Sequence, residues 1–290
     1  MRILNIAAIQ TAAVPLDVDA TWTRFAAQVR SVRALFPQVR LLLAPELLLA
    51  APAPMLDTPA SWMTDTAEPI DGPTVRRVRA LARETGLWLV PGSFFERADD
   101  GTIFNTAIAV SPEGEVVAKY RKVFTWQPYE DAEPGTCFEV FDIPGIGRIG
   151  LAICYDGSFP ETVRQLAWLG AEVILQPVLT TTRDREMERI CARANAFSNQ
   201  VYVVNLNIAD PAGVGESLIV DPEGMVRQQA GGGEEVLVDA LDLDAVTRVR
   251  TYGTVGLNRP WAQIAKDGAN LRLPAYGGGG MVTPEWAKHD

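Results

Sequence analysis

Histidine is nearly absent from this chain. His289, in the polar C-terminal tail, is the only one in 290 residues. Ser–His–Asp and Cys–His devices need an imidazole held firmly beside the nucleophile, and a penultimate residue is badly placed for that. Histidine-based zinc sites fail for the same reason, so no metal and no cofactor is expected. Cysteine is scarce too. Cys137, Cys154 and Cys191 are an odd number without metal-ligand spacing, which points to a reducing, cytoplasmic setting. There is no basic surplus: 26 Lys and Arg against 36 Asp and Glu leave a net charge of −10. That disfavours a nucleic-acid partner, which must be met by cations. Arg76, Arg77 and Arg79, the densest basic group, read as the solvated face of a helix. No apolar run approaches a bilayer-spanning length, so no membrane partner is expected. The opening segment, Met1 to Gln10, reads as a first β-strand rather than a signal peptide.

What remains is an ordinary globular composition, 48% apolar and 21% charged, enough for a sizeable core. Strand and helix patterns alternate. Residues 2–10 read as a strand. Residues 17–35 place Trp22, Phe25, Ala26, Val29 and Val32 at helical spacing. VRLLLAPE (39–46) reads as a buried strand. Residues 71–86 read as a helix with Asp71 as its cap, Pro73 in its first turn and Gly86 as its stop. Residues 87–96 read as one further strand. Hairpins are expected to turn at Ser111 to Gly114 and at Pro222 to Gly224. Residues 148–170 read as strand, sharp turn and a helix starting near Pro160. Buried strands follow at AEVILQPVL and VYVVNLNIA, with a helix over 184–199 between them and a late strand at EEVLVDALDLD. This is an α/β pattern with helices outside mixed sheets. The pattern weakens beyond about residue 245, so residues 1–245 read as one domain. Residues 246–290, with the flexible run Gly277 to Gly280, read as a C-terminal extension that could pack on a partner subunit.

Four positions carry potential chemistry. Cys154 follows the strand RIGLAI and precedes a Gly-containing turn and a helix. A nucleophile there stands at the sheet end beside free backbone N–H groups able to hold an oxyanion; the same residue could equally be a buried apolar cysteine. Cys137 and Cys191 read as structural. Glu46 closes an otherwise apolar strand, where a carboxylate is costly unless paired or used, and burial would raise its pKa toward a proton-transfer role; it could also reach solvent. Lys122 ends a hairpin arm and Glu130 lies in an aromatic loop beside Asp131 and Glu133. On context alone each could be simply solvated.

These segments carry a resemblance. PELL around Glu46, YRKVFTWQPYEDAEPG around Lys122 and Glu130, and GLAICYDGSFPE around Cys154 resemble, in order and spacing, the nitrilase superfamily of carbon–nitrogen hydrolases. ARANAFSNQVYVVNLN resembles the helix and strand that follow there. The likeness runs from about residue 3 to 245. Lys122, Trp126, Pro128, Glu130 and Pro134-Gly135 are most similar to the aliphatic amidase and formamidase branch, although Phe124-Thr125 and Tyr129-Glu130-Asp131 depart from it. Tyr155-Asp156 stands where nitrilases usually carry Trp-Glu.

The resemblance implies a single-domain, four-layer αββα sandwich and a homodimer or larger homo-oligomer. It implies an amidohydrolase that cleaves a small carboxamide to the acid and ammonia through a cysteine thioester. Cys154 would be the nucleophile and Glu46 the base. Lys122 and the Tyr155 N–H would be oxyanion donors, and Glu130 an orienting acid. Tyr155, Trp126, Tyr129 and Gln176 are expected to line the substrate cavity, and Asp156 to brace the nucleophile turn. An N-carbamoyl amide hydrolase and an acyltransferase are the alternatives within the superfamily; a nitrilase and a non-catalytic binding protein stand further off.

Overall fold

A computed structural model describes residues 1–270; His289 and the run Gly277 to Gly280 lie outside the described residues. The strands are β1 (Ile3–Gln10), β2 (Leu41–Leu43), β3 (Trp88–Val90), β4 (Ser93–Arg97), β5 (Ile103–Val110), β6 (Val116–Arg121), β7 (Glu139–Ile143), β8 (Gly147–Leu151), β9 (Val173–Val178), β10 (Tyr202–Asn207), β11 (Leu218–Val220), β12 (Val226–Gln229) and β13 (Glu235–Asp242). The helices are α1 (Val18–Leu35), α2 (Trp62–Thr66), α3 (Pro73–Thr85), α4 (Pro160–Trp168), α5 (Arg185–Asn199), α6 (Leu243–Tyr252) and α7 (Pro260–Asp267). One sheet runs β13-β1-β2-β3-β5-β4, with β6 also paired to β5; the other runs β12-β11-β10-β9-β8-β7. Parallel pairs at the centre of each sheet (β1 with β2, β9 with β10) give way to antiparallel hairpins at the edges.

The period-two alternation of the central strands builds the layers. Leu41 and Leu43 face the second sheet, where they join Ile149, Leu151, Val173, Leu175 and Leu206 in one core. Leu42 and Leu89 face the other way and meet Phe25 and Val29 of α1 and Val75, Val78 and Leu81 of α3. On the far side, Ile174 and Val203 pack against Val163 and Leu166 of α4 and Ala192 and Ala196 of α5. Three apolar layers between four layers of secondary structure, two of helix and two of sheet, make the expected αββα sandwich. Each fully buried Leu, Ile or Val contributes about 1.5–3 kcal/mol relative to exposure.

Several local expectations are corrected. The helix expected from Asp71 starts at Pro73, with Gly72 as its cap residue. Its first-turn Thr74 N–H is accepted by the Glu68 carboxylate at 2.9 Å, not by Asp71. The run 87–96 is two strands because Pro91 lacks an N–H and Gly92 turns through φ +85°. A Cβ on Gly92 would lie 1.7 Å from Pro45 O, so only glycine allows β4 to pass this close to the chain entering Glu46. The run 39–46 keeps ladder pairing over Leu41–Leu43 alone. Beyond it Ala44 still donates to Val90 O (2.9 Å), and the chain then turns through Leu47 (φ +53°). Residues 243–252 form α6, with Leu243, Val246 and Val249 buried.

Candidate active site

The C-terminal ends of β2, β6, β8 and β9 point to one place, the position where open α/β sheets usually carry their sites. The four side chains singled out from the sequence arrive there from segments far apart in the chain. Glu46 follows β2, Lys122 follows β6, Glu130 stands eight residues further on, and Cys154 follows β8. All four line a cavity of about 590 Å³, within the range of small-molecule sites.

Lys122 is 2% exposed and so needs partners. Its Nζ donates to Glu46 Oε1 at 3.0 Å and to Glu130 Oε2 at 2.7 Å. Asn105, on β5, sits across the same pair: its Nδ2 donates to Glu46 Oε1 at 2.9 Å and to Glu130 Oε1 at 2.7 Å. Only an NH2 group can bridge two carboxylates in this way, so this orientation of the Asn105 amide is dictated by its neighbours. Backbone donors complete the shell. Leu179 N–H reaches Glu46 Oε2 at 2.8 Å, and Trp126 N–H reaches Glu130 Oε2 at 2.9 Å.

The electrostatics separate the two acids. Burial pushes Glu46 above the usual carboxylate range; the Lys122 ammonium opposes this and the Glu130 charge adds to it. Glu130 is also penalised by burial, but Lys122, Trp126 N–H and Asn105 outweigh that and hold it below its usual value. Lys122 loses hydration, yet the two acids drive its pKa well up, so it stays an ammonium. The Cys154 thiol is pushed well above its ordinary value, first by burial and then by the Glu46 charge, with Lys122 opposing. The sulfur therefore rests as a thiol. A raised-pKa carboxylate, Glu46, lines the same cavity, which suits base-assisted attack.

Cys154 opens a short 3₁₀ turn over Cys154–Ser158 and has φ +46°, a left-handed conformation that is uncommon outside glycine and tends to mark functional turns. Its surroundings hold it there. Asp156 is fully buried and accepts from Ile153 N–H (2.9 Å), Tyr120 Oη–H (2.8 Å) and Phe124 N–H (2.9 Å). It thus ties the nucleophile turn to the residues on either side of Lys122. Burial outweighs those contacts and raises its pKa to about 6. A Cβ on Gly157 would meet Gln176 Nε2 at 2.0 Å, so any larger residue would displace the Gln176 side chain. Phe124 stacks on Phe159 at 3.7 Å, and Tyr155 meets the same ring edge-on.

Among the expected cavity residues, Tyr155, Trp126 and Tyr129 do line it, with Trp126 and Tyr129 packed ring to ring at 4.7 Å. Gln176 is corrected: it lies behind the nucleophile and not in the cavity wall, because its Nε2 is spent on Cys154 O at 2.8 Å. Cys137 is exposed and Cys191 half-buried, and neither lines the cavity. Sequence reasoning missed Asn105, Thr180, Arg185 and Glu188. Asn105 sits in a largely apolar strand run, FNTAIAV, and a carboxamide there was the available signal. Arg185 and Glu188 stand in a helix rich in charges and offered none. Among the described residues no cluster of metal-ligating side chains occurs, and no helix is long and apolar enough to cross a membrane.

The chain is 32% identical over 206 residues to the ω-amidase NIT2 of Mus musculus, covering 66% of this chain and 74% of that protein. It is 29% identical over 219 residues to the formamidase of Bacillus thuringiensis, covering 73% of this chain and 64% of that one. Among solved structures it superposes with a TM-score of 0.71, at 26% identity over 89% of this chain and 96% of the other, on a mutant of the amidase from Nesterenkonia sp. AN1. That mutant shows covalent addition of the acetamide moiety of fluoroacetamide at the active site cysteine. Residues 5–251 match the carbon–nitrogen hydrolase family as a whole, and with amidases among its relatives the chain belongs to that family of C–N bond hydrolases.

Proposed function

We propose that the protein hydrolyses a small carboxamide to its carboxylic acid and ammonia through a thioester on Cys154. One observation carries the reading: a buried thiol, a carboxylate of raised pKa and an ammonium share one cavity. Glu46 takes the thiol proton as Cys154 Sγ attacks the amide carbon, forming the C–S bond. The Lys122 ammonium and the Tyr155 backbone N–H hold the oxyanion; one such donor is worth about 3 kcal/mol. Collapse breaks the C–N bond, and Glu46 returns the proton so that nitrogen leaves as ammonia. Glu46 then draws a proton from water, whose oxygen attacks the thioester. The acid departs and the thiol is restored. Glu130, kept ionised, keeps Lys122 charged and the Trp126 loop in place. The acetamide adduct on the cysteine of the Nesterenkonia amidase supports the covalent step.

Ammonia release from a panel of short amides, N-carbamoyl compounds and nitriles, with mass spectrometry of the products, tests the assignment. Cys154→Ala and Glu46→Gln are each expected to abolish amide turnover with circular dichroism unchanged. A folded variant of either kind that keeps wild-type amidase rates refutes it. Carbamate products, or acyl transfer to an added amine in preference to water, would move the protein to the neighbouring activities of the superfamily.

A further inference from the structure

Beside the nucleophile stands a polar group that this mechanism leaves unused. Thr180, just past the end of β9, lines the cavity and places Oγ1 3.9 Å from Cys154 Sγ. Its backbone is fixed: Thr180 N–H donates to Asn207 Oδ1 at 2.8 Å, and its carbonyl accepts from Asn207 Nδ2 at 3.1 Å and from Val214 N–H at 3.0 Å. Its hydroxyl is fixed as well. Oγ1–H donates to Glu188 Oε1 at 2.6 Å. Arg185 Nη1 holds Glu188 Oε2 at 3.0 Å. Arg185 is itself 2% exposed and anchored to backbone carbonyls, Nε to Gly215 O at 3.0 Å and Nη2 to Glu216 O at 2.8 Å. A hydroxyl has one proton and two lone pairs. Burial raises the Glu188 pKa, opposed by its contacts with Thr180 and Arg185. With the hydroxyl proton directed at that guanidinium-clamped carboxylate, what faces the sulfur and the cavity is an acceptor.

We propose that Thr180 is a specificity-determining residue that accepts an N–H from the nitrogen of the scissile carboxamide, with Glu188 and Arg185 as positioning residues that keep its hydroxyl turned away from the cavity. This rests on the amide-hydrolase reading above and specifies its selectivity. The attacked carbon carries oxygen, nitrogen and the acyl chain, and the donors Lys122 and Tyr155 N–H suit the oxygen. The nitrogen of a primary amide brings two N–H groups and needs two acceptors. Glu46 supplies one and Thr180 Oγ1 the other. An ester or a nitrile brings no such proton and leaves the Thr180 oxygen unpaired, and sites built around a hydrogen bond discriminate strongly against analogues that lack it.

The test compares hexanamide with p-nitrophenyl hexanoate, which share an acyl group, at pH 8. Thr180→Val should lower kcat/KM for the amide about 10- to 100-fold while the ester changes less than about 3-fold. Thr180→Ser should restore the amide rate. Glu188→Gln, whose amide can donate to Thr180 and free the hydroxyl proton toward the cavity, should lower the amide-to-ester ratio in the same direction. Thermal melts confirm that each variant is folded, and the ester serves as an internal control for an intact nucleophile. Equal loss on both substrates, or an unchanged ratio in Thr180→Val, overturns the assignment of Thr180 while leaving the hydrolase reading standing. A wild-type enzyme inert toward both substrates overturns that reading and this one with it.

Discussion

The two sheets furnish the cavity in different ways. The first sheet supplies charge: Glu46 beyond β2 and Lys122 beyond β6, bridged by Asn105 on β5, form a network in which every carboxylate oxygen of Glu46 and Glu130 has a donor. The second sheet supplies the nucleophile on a strained turn, with φ +46° at Cys154, braced by neutral or singly charged groups: Gln176, Asp156 and Thr180. The first half is held by paired ions and the second by backbone geometry. The contrast teaches that buried charge needs its partners to stay in place, whereas a sulfur aimed into the cavity needs a turn that no relaxed strand would present.

The comparison is broken most severely at Lys122. Lys122→Met leaves Glu46 and Glu130 facing each other without their cation, and losing one partner of a buried ion pair costs about 3–5 kcal/mol. A large fall in the denaturation midpoint is therefore expected, with activity lost. A smaller effect is expected on the other side. Asp156→Asn retains the shape but cannot accept from Ile153 N–H, Tyr120 and Phe124 N–H as a carboxylate does, and should lower stability and nucleophile reactivity, read as a slower rate of Cys154 alkylation. It should also change a pH dependence. The Asp156 pKa rises from 3.8 unfolded to about 6 folded. Its contribution is therefore fully present below about pH 4 and lost as pH rises through about 6, by about 3 kcal/mol at one unit per 1.36 kcal/mol. Unfolding titrations from pH 4 to 8 should show this slope in the wild type and a flatter one in the variant. Subtlest is Glu130→Gln. Removing a charge that raises Glu46 should lower the Glu46 pKa, so the acidic limb of the residual kcat/KM profile should move to lower pH. A shift to higher pH would contradict the reading of the charged half.

The architecture was legible because burial imposes periods. Alternation at Leu41, Leu42 and Leu43 and helical spacing at Phe25, Val29 and Val32 each answer to one or two neighbouring layers, and that can be read along the chain. Boundaries were less legible where a carbonyl or a carboxylate elsewhere in the fold intervened: Gly92 breaks its strand because Pro45 O crosses beside it, and Glu68 replaces Asp71 at the start of α3.

Read by itself, the chain determined that chemistry without histidine was required, and motif order marked out Glu46, Lys122, Glu130 and Cys154 as its carriers. Composition suffices for the first, since it limits which groups can hold a proton; the second rests on the resemblance to a known family, because on context alone each of the four could have been packed or solvated. Only the tertiary structure decided that Asn105 bridges the two acids, that Gln176 braces Cys154 from behind, and that Thr180 faces the sulfur with its proton turned toward Glu188. Those are facts about which way a hydrogen points, set by partners from other strands, and no property of a residue's immediate neighbours in the chain encodes them.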